Sequence, residues 1–114
     1  RLAEARADGP APSYLYQFDW ETPSWTGRLG ATHALEVPFV FDALDAPGVA
    51  PLVGPEPPQA LADEMHRAWV RFVANGDPGW PVYGPERSVM RFDAQSELVK
   101  DPDAGRRQAW EGLR

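Results

Sequence analysis

Cysteine is absent from this chain. That rules out a disulfide scaffold, a cysteine-bearing zinc site and a thiol nucleophile. It leaves the compartment open, because a reducing cytoplasm and a secreted bacterial enzyme are both compatible with a cysteine-free sequence. Basic residues are also scarce. Lys and Arg number 11 against 17 Asp and Glu, for a formal net charge of −6, and the positive charges come singly or in short pairs such as Arg106-Arg107. A polyphosphate backbone is repelled by that balance, which argues against a nucleic-acid partner. Long hydrophobic runs are missing too. The longest lies near Val37 to Phe41, far short of the roughly 20 apolar residues a membrane helix needs, so a soluble chain, cytoplasmic or secreted, is expected. No internal repeat and no low-complexity tract is present.

What remains is enough for one folded unit. A chain of 114 residues supports a single core, and 43% hydrophobic residues argue for packing while 10 glycines and 13 prolines argue for many loops. Leu2 to Ala7 are mostly helix formers, so Arg1 to Asp8 reads as the end of a helix cut off by Gly9 and Pro10. Ser13 to Trp20 alternates Tyr14, Tyr16, Phe18 and Trp20 with Leu15, Gln17 and Asp19, which predicts a strand with its aromatic face buried beneath a helix. Glu21 to Thr32 contains Pro23, Gly27 and Gly30 and reads as a loop. Asp42 to Glu56 carries Pro47, Gly48, Pro51, Gly54 and Pro55 and reads as an extended surface loop.

After Pro57-Pro58, Leu61, Met65, Trp69, Phe72 and Val73 trace one helical face, with Asp63, Glu64, Arg67 and Arg71 opposite. Asp63 and Arg67 are spaced for an ion pair one turn apart. Asn75-Gly76 ends this helix and Pro78 prevents its resumption. His66 falls on the polar side, and solvent exposure is expected. Trp80 and Tyr83 are expected to cover the core. Val89 to Phe92 and Glu97 to Lys100 predict two short strands in a hairpin about Asp93-Ala94-Gln95-Ser96. Asp103 to Leu113 predicts a final helix with Ala109, Trp110 and Leu113 on its apolar side.

One stretch carries chemistry: Gly30-Ala31-Thr32-His33-Ala34-Leu35-Glu36-Val37-Pro38-Phe39-Val40-Phe41. The glycines allow a sharp approach of the backbone, and Pro38 forbids a long helix through the segment. The imidazole is therefore expected on a short turn. This dodecamer resembles the histidine segment of the type-B carboxylesterases, the cholinesterase-like branch of the α/β-hydrolases, in which Gly-x-x-His-x-x-Glu-(Leu/Val)-Pro-(Phe/Tyr)-Val-Phe carries the triad base. The resemblance runs from the aromatic strand before it through the Trp-Val-x-Phe helix to the Gly-Asp-Pro turn.

The resemblance implies an α/β fold, with residues 1–114 a single C-terminal segment of an α/β-hydrolase domain rather than a complete catalytic domain. It implies a serine carboxylic-ester hydrolase acting on a small-molecule ester, with His33 as general acid and base. The family's nucleophile sits in a Gly-x-Ser-x-Gly elbow upstream, and no such pattern occurs in this sequence, so the serine and the acid are expected in an N-terminal remainder of the same protein. The chain alone is then inactive, and a sheet strand stripped of its neighbours favours self-association.

Glu36 has two readings of equal weight, a carboxylate supporting the site from behind and a half-exposed carboxylate on a short turn. Trp25 has two as well, the lining of a substrate gorge and, by a small margin the preferred one, a plug holding its loop on the core. Asp19 and Glu21 carry little weight as the triad acid. A zinc reading of His33 and Glu36 fails on number, since catalytic zinc needs three protein ligands and His66 lies on a separate helix; no cofactor is implied. Two alternatives come from other classes. One is a noncatalytic interaction module that keeps the esterase shape, and the other, less favoured, is a sugar-binding domain using Trp20, Trp25, Trp69, Trp80 and Trp110.

Overall fold

The computed structural model describes residues 2–6 and 9–113. Three strands, β1 (Tyr16–Phe18), β2 (Ser88–Phe92) and β3 (Glu97–Lys100), form one mixed sheet in that order. β1 runs parallel to β2, with Tyr16 opposite Met90 and Phe18 opposite Phe92, and β2 runs antiparallel to β3. The expected hairpin is therefore present, and it extends the sheet that β1 begins. A parallel pair needs a long crossover, and here it contains the helices α2 (Val37–Val40), α3 (Ala50–Val53) and α4 (Gln59–Asn75). α1 (Leu2–Ala5) precedes the sheet and α5 (Ala104–Ala109) follows it. The rest of the helix expected over Arg1 to Asp8 falls partly outside the described residues.

The aromatic face of the strand packs inward as its period requires, but it is half-buried rather than buried. Tyr14 meets Phe72, Tyr16 meets Trp69 and Phe92, and Phe18 and Trp20 both meet Phe39, with ring centroids 5.1–6.2 Å apart. At its C-terminal end the regular ladder is shorter than the predicted strand because β2 reaches only Phe92. Leu15 and Asp19 each add one bond to β2, and Ser13 pairs instead with Tyr83. Leu35, Phe39, Val53, Leu61, Ala62, Met65 and Phe92 form the centre of the core, all at most 3% exposed. Trp80 packs edge-on against Phe92 at 5.7 Å and covers the core as expected.

Four expectations about loops and helices need correction. Asp42 to Glu56 is not wholly a surface loop: Pro51 presets the first turn of α3, and Leu44 and Val53 enter the core. The apolar face of α4 is buried only in its first half. Leu61 and Met65 are covered, but Trp69 is 38%, Phe72 43% and Val73 80% exposed, because a helix of 17 residues rises about 25 Å and overshoots a three-stranded sheet. Asp63 does not pair with Arg67; its carboxylate instead accepts a hydrogen bond from Gln59 at 2.8 Å. α4 ends as anticipated, with Gly76 in the left-handed region at φ 77°. The last helix, expected to reach Leu113, ends at Ala109, and Trp110 and Leu113 beyond it are 65% and 57% exposed.

Candidate active site

The loop that leaves the C-terminal end of β1 and the turn that feeds α2 carry the candidate residues, and open α/β sheets present their sites at such strand ends. Gly30, at φ 57°, turns the chain back so that its carbonyl accepts a hydrogen bond from the Thr22 amide at 3.3 Å. His33 then opens a tight turn, Thr32 to Val37, closed by hydrogen bonds from the Leu35 amide to the Thr32 carbonyl and from the Val37 amide to the Ala34 carbonyl. Ala34 sits at φ 64°. A β-carbon in the left-handed region is held there at a cost of about 1 kcal/mol or more, so the surrounding structure must dictate the turn.

That dictation comes from Leu35, which is fully buried. Its anchoring leaves the side chain of His33 exposed, and among the described residues its ring makes no hydrogen bond or ion pair. A neutral imidazole so placed is free to accept a proton from a hydroxyl approaching from outside this chain.

Glu36 closes the same turn and is half-buried, its carbonyl accepting from the amides of Phe39 and Val40. Its charge is felt on the sheet side. Burial pushes the Tyr16 phenol above its ordinary range, the Glu36 carboxylate pushes it further, and a hydrogen bond with Trp69 opposes both. No hydrogen bond joins Glu36 to His33. Asp19 is committed elsewhere, to Arg91 at 2.8 Å and Gln17 at 2.7 Å. Among the described residues no cluster of three or more metal-ligating side chains occurs, and no helix is long and apolar enough to cross a membrane.

Trp25 is not a plug. It is 69% exposed, on a turn where Trp25 and Thr26 both take left-handed angles, φ 56° and 58°. The residue that fastens this loop is Thr22, 1% exposed, whose hydroxyl donates to the Leu52 carbonyl at 2.6 Å and accepts from the Ser24 amide at 3.1 Å. A small polar residue before a proline gave no sequence signal for that role. His66 is exposed as expected, and its Nδ1 also lies 3.0 Å from the Val40 carbonyl. Of the four serines, Ser13, Ser24, Ser88 and Ser96, none has glycine two residues to either side, as a nucleophile elbow requires.

No protein-family model matches the chain. It is 43% identical to the carboxylesterase EST55 of Geobacillus stearothermophilus, with a TM-score of 0.80 over 96% of this chain and 24% of that one. It is 38% identical to phenmedipham hydrolase of Pseudarthrobacter oxydans over 89% of this chain and 22% of the relative. It is 33% identical to the para-nitrobenzyl esterase of Bacillus subtilis over 86% and 21%. The three-stranded sheet with its helical crossover is thus part of an α/β-hydrolase fold. Within that class the chain belongs with the type-B carboxylesterases and matches their C-terminal region, spanning less than a quarter of the length of these relatives.

Proposed function

We propose that His33 is the general base of a serine ester hydrolase whose nucleophile and acid lie outside these 114 residues. The observation that carries this reading is an exposed imidazole, without a hydrogen-bond partner among the described residues, on a turn whose geometry is imposed by Leu35 and a left-handed Ala34. In the intact enzyme Nε2 of His33 takes the proton of the serine hydroxyl as the oxygen attacks the ester carbonyl, and returns it to the departing alcohol. Water then hydrolyses the acyl-enzyme with the same base. Glu36 contributes the negative charge nearest the turn, and Trp25 offers an aromatic wall to the substrate from the same loop. The open edge of β1 and the uncovered half of α4 are covered by the remainder of the protein, which fits a chain that spans only 21–24% of the relatives named above.

A fluorophosphonate probe tests this directly. In the intact protein, peptide mapping is expected to place one covalent adduct on a serine outside this chain, and His33→Ala to slow labelling by roughly 10³-fold or more. An adduct on Ser13, Ser24, Ser88 or Ser96, or an unchanged labelling rate in His33→Ala, overturns the reading.

A further inference from the structure

We infer that His66 is a positioning residue for His33, acting through α2; the inference rests on the catalytic reading above. α2 follows the histidine turn without a break, so whatever fixes α2 fixes the turn. Its carbonyls are nearly all satisfied by backbone: Glu36 accepts from Phe39 and Val40, Val37 from Phe41, Phe39 from Asp42 and Pro38 from Ala43. Val40 is the exception. It is 9% exposed, and among the described residues no backbone amide donates to its carbonyl. The end of a short helix leaves such orphan acceptors, and a buried orphan is costly.

His66, from the middle of α4, supplies the missing donor at 3.0 Å. A carbonyl only accepts, so Nδ1 carries the proton and the ring is fixed in one tautomer or the imidazolium. A second tie lies about two turns away along α4. Gln59, in the first turn of α4, donates to the Asp42 carboxylate at 2.7 Å, and Asp42 itself sits at φ 48° where the chain leaves α2. Between the two ties, Phe39 and Val40 pack with Leu61, Ala62 and Met65 in the core. The long, regular helix therefore acts as a brace behind the short one. Moving a reacting group by an ångström is enough to lower a rate by up to about 100-fold.

The test compares His66→Ala, His66→Asn and His66→Gln in the intact protein. Asparagine places an amide N–H where Nδ1 stands, and glutamine does not. In His66→Ala, amide hydrogen exchange at Val40, Phe41 and Asp42 is expected to rise roughly 3- to 10-fold, the NMR signals of the His33 ring to shift, and kcat for a nitrophenyl ester to fall about tenfold with KM unchanged. His66→Asn restores all three and His66→Gln does not. Unchanged exchange in His66→Ala overturns the brace. Raised exchange with unchanged kcat and an unmoved His33 signal overturns the positioning role. An intact wild-type protein without ester turnover overturns the catalytic reading instead, and the exchange and His33 ring signals still decide whether the brace exists.

Discussion

The loop from Asp19 to Glu36 and helix α4 are neighbours built on opposite terms. α4 has 17 residues in one regular conformation, with Leu61, Ala62, Met65 and Ala68 buried along one side. The loop has left-handed Trp25, Thr26 and Ala34 together with positive-φ Gly27 and Gly30, and it exposes both Trp25 and His33. Regular structure satisfies its own backbone and needs only a surface to pack on. A strained loop satisfies little by itself, so its shape is set by a few anchors, here Thr22 and Leu35. The candidate imidazole thus takes its position from its neighbours rather than from bonds of its own.

The comparison breaks if the anchors matter no more than the exposed residues. The largest effect is expected at Phe39, fully buried and in contact with Phe18 and Trp20. Phe39→Ala is expected to cost about 3–5 kcal/mol in urea unfolding, and a loss below about 1 kcal/mol would remove α2 from the core. Next comes Thr22→Val, which keeps the shape but takes the donor from the Leu52 carbonyl and the acceptor from the Ser24 amide. A cost of about 1–3 kcal/mol is expected, with faster hydrogen exchange at Ser24.

A smaller effect, confined to the ends of the chain, follows from acid. The carboxyl of Asp101 is held below its ordinary value chiefly by its hydrogen bond with Arg107, and that of Glu4 chiefly by its hydrogen bond with Arg87. Depressed folded-state values stabilise above the ordinary carboxylate range, and that stabilisation is lost as pH falls through them. Exchange in α1 and α5 is therefore expected to quicken below the ordinary carboxylate range while α4 stays protected; simultaneous loss of both would show that the ties do not act locally. The smallest stability effect is expected at Trp25, exposed and outside the core. Trp25→Ala should change stability by less than about 0.5 kcal/mol while raising KM in the intact enzyme, and a large loss of stability would return Trp25 to the role of plug.

Legibility in the sequence followed the same division. Period two between Tyr14 and Trp20 and the spacing of Leu61, Met65 and Trp69 marked a strand face and a helix face, because both patterns repeat within one element. How far each face is covered was not legible. Val73 continues the stripe of α4 and yet is exposed, since the width of the opposing sheet is set by residues far away in the chain. α3 was hidden by its prolines and glycines, although Pro51 suits the first turn of a helix. The turn at His33 was legible from Gly30 and Pro38, whereas the hydrogen bonds of Thr22 and His66 join residues 30 and 26 positions apart and leave no local trace.

The central claim is that the ring on the Thr32–Val37 turn moves the proton in ester hydrolysis. Steady-state hydrolysis of a nitrophenyl ester by the intact protein and its His33→Ala variant tests it most directly. Loss of a triad base is expected to lower kcat by roughly 10⁴-fold with the fold unchanged. A fall of less than about tenfold contradicts the account.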